Sequence, residues 1–151
     1  MFRITPQGTD QTLHTFNGVG GSGTFGGVIL SSDGNLYGVT RGNGATDFGT
    51  VYRLSIDGAT FTTVHRFAGT DGSQVERPLI QARNGLIYGA TTFGGLFTAG
   101  TLFSIGTDGA FAHLHDFGPE GREPFGRLVE FADGLLYGTT RGGGTNGTIY
   151  R

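Results

Sequence analysis

Three histidines recur at one place in a repeated string: Leu13-His14-Thr15-Phe16, Val64-His65-Arg66-Phe67 and Leu114-His115-Asp116-Phe117. Imidazoles that converged on one point could hold a metal through nitrogen. The repeat places each of these on an outermost strand, however, which keeps the copies far apart. The expected role of His14, His65 and His115 is therefore structural: a ring packed beside the phenylalanine two residues on, its N–H bonded to a loop carbonyl. His113 and His115 share a strand face, and such an H-x-H pair can chelate, but no third ligand accompanies it. Tyr37, Tyr88 and Tyr137 also occur once per repeat and read as packing residues whose hydroxyls find a partner, with sugar stacking as the functional alternative. No metal site is expected.

Other chemistry is sparse. Gly18-Val19-Gly20-Gly21-Ser22-Gly23 and Gly142-Gly143-Gly144-Thr145-Asn146-Gly147 both fit G-x-G-x-x-G. Neither opens a helix, so neither has the N-terminus that would cradle a phosphate. No G-x-S-x-G elbow, H-E-x-x-H pair or calcium loop is present. Glu76, Glu120 and Glu123 stand at related positions in successive repeats, and two carboxylates could serve glycosidic chemistry. Their position alone supports that. Asn146-Gly147-Thr148 is a glycosylation sequon. No cofactor is expected.

The elements that carry these residues come from internal repetition. Asp33-Gly34-Asn35-Leu36-Tyr37-Gly38-Val39-Thr40 returns as Asn84-Gly85-Leu86-Ile87-Tyr88-Gly89-Ala90-Thr91 and as Asp133-Gly134-Leu135-Leu136-Tyr137-Gly138-Thr139-Thr140. Gly49-Thr50-Val51-Tyr52-Arg53-Leu54 matches Gly100-Thr101-Leu102-Phe103-Ser104-Ile105, and Gly147-Thr148-Ile149-Tyr150-Arg151 starts a third copy. Asp57-Gly58 and Asp108-Gly109 align with Gln7-Gly8. The middle copy predicts strands over Leu79–Ala82, Leu86–Thr92, Gly100–Ile105 and Phe111–Phe117, joined by Asn-Gly and Asp-Gly turns that tolerate positive φ. Apolar residues on both strand faces, as at Val28-Ile29-Leu30 and Leu128-Val129, fit a sheet packed between two others. Four up-and-down strands in roughly fifty residues, repeated, describe β-propeller blades. The expected fold is all-β, a propeller of four-stranded antiparallel blades. It comprises a half-blade over 1–16, blades over 28–67 and 79–117, and a half-blade over 128–151.

The string D-G-N-L-Y-G-x-T, the glycine-rich stretch, G-T-V-[YF]-[RK]-[LI], D-G and L-H-x-F together resemble the GloVer (Gloeo/Verruco) repeat. The resemblance covers nearly the whole chain. Asn84 and Gln7 depart from its turn aspartates, and its proline before strand one is matched at Pro124 but not at Thr24 or Val75. The repeat occurs in tandem in bacterial proteins that are often exported and anchored at the cell surface, so the resemblance implies an extracellular location and a propeller fold. It carries no assigned chemistry.

Composition agrees with many short strands and tight turns. Glycine reaches 31 of 151 residues, beside 13 Phe and 5 Tyr, and no window has a helical apolar period. Net charge is −2 with no basic cluster, which argues against nucleic acid. No apolar run is long enough for a membrane span, and the first residues do not read as a leader. Three repeats are too few to surround an axis, so the expected partner is a second copy, the two chains pairing their half-blades into a six-bladed ring. The alternative is that the chain belongs to a longer array and has no independent function.

Propeller geometry puts the long loops on one rim and the Asp-Gly turns on the other, and binding belongs on the first. The candidates there are Arg41, Asn43, Asp47, Asp71, Glu76, Arg77, Glu120, Arg122, Glu123, Arg141 and Asn146, against the plain reading of solvated loop residues. The expected function is a non-catalytic binding or structural module, with a glycan or protein as ligand. A glycosidase or lyase on the same scaffold is the alternative, and it requires two or three carboxylates and an arginine converging at the channel mouth.

Overall fold

The computed structural model describes residues 1–18, 21–43 and 46–151. Val19, Gly20, Gly44 and Ala45 lie outside the described residues, and with them parts of the first glycine-rich segment and of the 41–48 loop. The described residues contain no helix and form antiparallel sheets in series. The first sheet pairs β1 (Phe2–Ile4) with β2 (Asp10–Thr12). The second runs in order through β3 (Val28–Leu30), β4 (Asn35–Thr40), β5 (Thr50–Ser55) and β6 (Phe61–Arg66). The third repeats that order with β7 (Ile80–Gln81), β8 (Ile87–Thr91), β9 (Thr101–Ile105) and β10 (Phe111–Asp116). The last centres on β13 (Leu136–Gly142), which pairs with β11 (Arg122–Pro124), β12 (Val129–Glu130) and β14 (Ile149–Tyr150). The second and third sheets are each the four-stranded, up-and-down blade of a β-propeller.

The same local chemistry builds each sheet. Between strands one and two, glycine takes positive φ at Gly34, Gly85 and Gly134, and the residue before it bonds the backbone N–H two positions after itself. Asp33 does so to Asn35, Asn84 to Leu86 and Asp133 to Leu135, at 3.0 ± 0.1 Å. The glycine of each Tyr-Gly pair lies under an aromatic ring of strand three. A Cβ on Gly89 would stand 2.4 Å from the Phe103 ring and 2.7 Å from Leu79. Tyr52 covers Gly38 and Tyr150 covers Gly138 in the same way.

The core is the seam between the second and third sheets, where Tyr37, Val39, Val51, Phe67, Val75, Leu79, Ile87, Phe103 and Ile105 pack together. The expectation of apolar strands buried on both faces holds for the third sheet, which has a full neighbour before it, and fails at β3. Val28 is 43% exposed, whereas its repeat equivalents Leu79 and Leu128 are each 2% exposed. The sheet before β3 has two strands only, and an open pocket lined by Phe2, Phe16 and Tyr52 lies beside Val28. β11 was not legible as a strand. It is the returning link, zipped to β13 through Arg122↔Gly142 and Pro124↔Thr140.

Candidate functional site

The loop-rich rim is built by links that cross from one sheet to the next. In each link the residue at one equivalent position adopts a left-handed backbone, at Gly23 (φ 70), Gln74 (φ 59) and Glu123 (φ 57). The conformation aims that residue's amide at the previous sheet: Gln74 N–H donates to the Phe48 carbonyl at 2.8 Å and Glu123 N–H to that of Ala99 at 2.7 Å. A non-glycine residue there costs on the order of 1 kcal/mol, which the bond between sheets offsets.

Most charged candidates serve these links. Arg41 reaches across the seam, its Nε 2.5 Å from Glu76 Oε1 and its Nη2 donating to Gln74 Oε1 at 2.9 Å. Thr92 donates to the other Glu76 oxygen at 3.5 Å. Asn43 accepts from the amides of Thr46 and Asp47, each at 3.1 Å. Asp47 caps the Gly49 amide at 3.1 Å, accepts from Ser22 at 3.2 Å and sits 3.9 Å from Arg66. Asp71 bonds the Ala68 amide and the His65 imidazole, both at 2.8 Å. The Arg77 guanidinium lies 3.4 Å from the centre of the Phe125 ring, a cation–π contact. Arg122 projects from β11 and Arg141, expected in a loop, is an exposed residue near the end of β13, while Glu120 and Asn146 are exposed loop residues. Thus Arg41 meets one carboxylate, Glu76, and the acids Asp47, Asp71 and Glu76 each have a separate set of partners.

Sequence reasoning missed the apolar side of this rim. Phe97 is 54% exposed and forms, with Ala99, Gly118, Pro119 and Arg122, an open pocket of about 250 Å³. Asp116 fixes the loop that carries it by accepting from the Leu96 amide at 2.8 Å. The available signal was Leu96-Phe97, a greasy pair inside a loop of small residues.

The repeated histidines lie in the seams between sheets. His14 stacks on Phe61 of the next sheet at 3.9 Å and His65 on Phe111 at 3.5 Å, each also edge-on to the phenylalanine two residues later. The His65 partner is the Asp71 carboxylate, where a loop carbonyl was expected; His113 turns to Asp116 at 3.1 Å. Burial, with the N-terminal ammonium nearby, pushes the His14 imidazole below its ordinary pKa. Among the described residues no group of three His, Asp or Glu could hold a metal. Tyr37 and Tyr137 donate to Asp33 and Asp133 at 3.0 and 2.9 Å, whereas the Tyr88 hydroxyl accepts from Asn84 at 2.8 Å. Burial and then the Asp33 bond hold the Tyr37 phenol above its usual value.

No curated protein matches the chain. Among solved structures, a putative gluconolactonase is similar, with a TM-score of 0.53 and 16% identity over 76% of this chain. The match covers 40% of that protein's own chain, and at this identity the likeness is one of fold. The family is settled by the repeat itself. The model of the Gloeobacter/Verrucomicrobia repeat matches residues 1–151, and the chain belongs to that family.

Proposed function

We propose that the chain is a non-catalytic binding module of an extracellular repeat propeller, taking a glycan against its loop-rich rim. The observation that carries the reading is the division of labour there. Charged side chains are spent bracing the links, as in Arg41–Glu76–Gln74 and His65–Asp71, while Phe97 faces outward beside Arg122. An exposed aromatic face next to a cation on a braced scaffold suits a sugar ring, which offers apolar C–H faces and hydroxyls together. The pocket admits one ring or one side chain, so a protein loop is the alternative occupant. Hydrolytic or lyase chemistry needs acids that share a site, and Arg41 gathers one.

A glycan array probed with the full chain tests this. Binding to a subset of glycans, weakened at least ~10-fold by Phe97→Ala with Arg122→Ala and unchanged by Asp57→Asn on the opposite rim, is the expected result; ~10-fold corresponds to ~1.4 kcal/mol. A flat response across all glycans, or binding indifferent to Phe97, would sink the proposal.

A further inference from the structure

Three contacts between neighbouring strands or sheets repeat along the chain, and each has an unfilled member. The first is an aromatic residue of strand four stacked on the histidine of the preceding sheet, Phe61 on His14 and Phe111 on His65. His115 carries no such ring, and a groove of about 340 Å³ opens beside it, walled by Leu102, Phe117 and Tyr150. The second is a latch from strand one to the preceding turn. Gln81 accepts from the Ser32 amide at 2.8 Å, and Glu130 from the Arg83 amide at 3.0 Å. The equivalent residue in β3 is Leu30, 62% exposed, and the equivalent turn in the last sheet holds Phe131, also 62% exposed. The third is the ring over glycine, made at Tyr52, Phe103 and Tyr150. In β1 the corresponding ring is Phe2, which is exposed and covers no glycine.

We propose that a second copy of this chain completes all three contacts, its β1 displacing β14 from β13. Its β1–β2 hairpin adds to β13 as strands three and four, and the exchange is mutual, giving two shared sheets. β1 enters in the register of β14, which two residue pairs hold on β13. The partner's Phe2 then covers Gly138, and the partner's Arg3 takes the place of Arg151 beside Asp133.

Complementarity selects a copy of this chain as the occupant. Asp10 stands in β2 where the internal seams have Phe61 and Phe111, pairing with Ile4 as Phe61 does with Leu54 and Phe111 with Ile105. It is exposed, and the ring it would face is His115. Carboxylate–imidazole pairs already occur in this chain at His65–Asp71 and His113–Asp116. The latch departs in a matching way, since apolar Leu30 would meet the partner's apolar turn at Phe131 where the internal latches are polar. Each departure from the repeat is answered by the other side of the same interface. The face is isologous, as closed two-fold assemblies require.

Sedimentation velocity of the full chain over a concentration series tests the proposal independently of any ligand. The expected species is a dimer of twice the 15.8 kDa chain mass. Asp10→Arg and Leu30→Glu, both at exposed positions, should each weaken it at least ~10-fold, the scale of losing one good interfacial contact. Asp10→Arg with His115→Glu should restore it, and Asp10→Phe should preserve or tighten it by rebuilding the internal stack. Circular dichroism confirms that each variant keeps its strands. A monomer at every concentration, an assembly of another size, or a dimer unmoved by Asp10→Arg and Leu30→Glu would overturn the inference.

Discussion

A turn aspartate does two jobs in this chain, and the repeat shows which one needs the charge. Asp33 and Asp133 each bond the backbone N–H two residues on and accept from a tyrosine hydroxyl four residues on. Asn84 makes the same backbone bond and reverses the other, donating to Tyr88. Asp57 joins the Ser55 hydroxyl and the Ala59 amide in its own turn. All three carboxyls lie below their ordinary pKa. At Asp33 burial opposes ionisation and is outweighed by bonds from Asn35, Tyr37 and Ser31; at Asp57 the Ser55 bond leads, and at Asp133 the Leu135 amide. A depressed folded value means stability that is present above the unfolded carboxyl pKa, about 3.9, and lost as pH falls through the folded one. Asn at positions 33, 57 and 133 together should therefore lower stability near neutral pH, where the ionised carboxyls contribute, and flatten its decline below about pH 4. Urea midpoints measured from neutral to acid pH check this, and an unaltered acid limb would refute it. The turns were legible because Asp-Gly and Asn-Gly advertise a backbone need. The left-handed Gln74 and Glu123 were not, because nothing in their side chains calls for positive φ; a bond to the neighbouring sheet imposes it.

Strands two and three are joined at their rim end by a threonine pair in the second, third and last sheets, Thr40–Thr50, Thr91–Thr101 and Thr140–Thr148. The strand-two hydroxyl also accepts from the backbone N–H of the strand-three threonine, at 3.0, 2.9 and 3.0 Å respectively. Past this point the backbone ladder gives way to a loop, so the hydroxyl supplies the acceptor that the ladder no longer does. Thr91 and Thr101 are fully buried. Thr91→Val keeps shape and strand propensity but strands the Thr101 amide in the core, a cost of ~1–3 kcal/mol. A drop in the urea midpoint together with faster hydrogen exchange at Thr101 is the expected pair of observations. Destabilisation without that local exchange would assign the loss to packing. The motif Tyr-Gly-x-Thr placed the threonine at a strand end in the sequence. Its partner ten residues on needed the hairpin closed, as did the Arg41–Glu76 tie across 35 residues.

At the scale of the whole molecule, burial declines along the series from the centre outwards. The second and third sheets share the core, and β5 and β9 are buried along most of their length. β1 and β2 are exposed throughout and pair through three residues, while β12 and β14 contribute two each. The repeat gave every sheet nearly the same residues, so strand propensity does not produce this gradient. Neighbours do, because a blade face is buried only by another blade. Opening free energies should follow the gradient. In a dilute monomer, amides of β8 and β9 should exchange only through global unfolding, those of β4 and β5 nearly as slowly, and those of β1, β2 and β14 through local fraying, faster by several orders of magnitude. At concentrations where the proposed dimer forms, β1 and β2 should gain protection while β8 and β9, already at the global limit, gain only what dimerisation adds to total stability. β14 should lose protection in the same samples, since the partner's hairpin displaces it. Uniform exchange across all sheets would contradict the neighbour argument, and protection of β1–β2 that ignores concentration would place their stability within one chain.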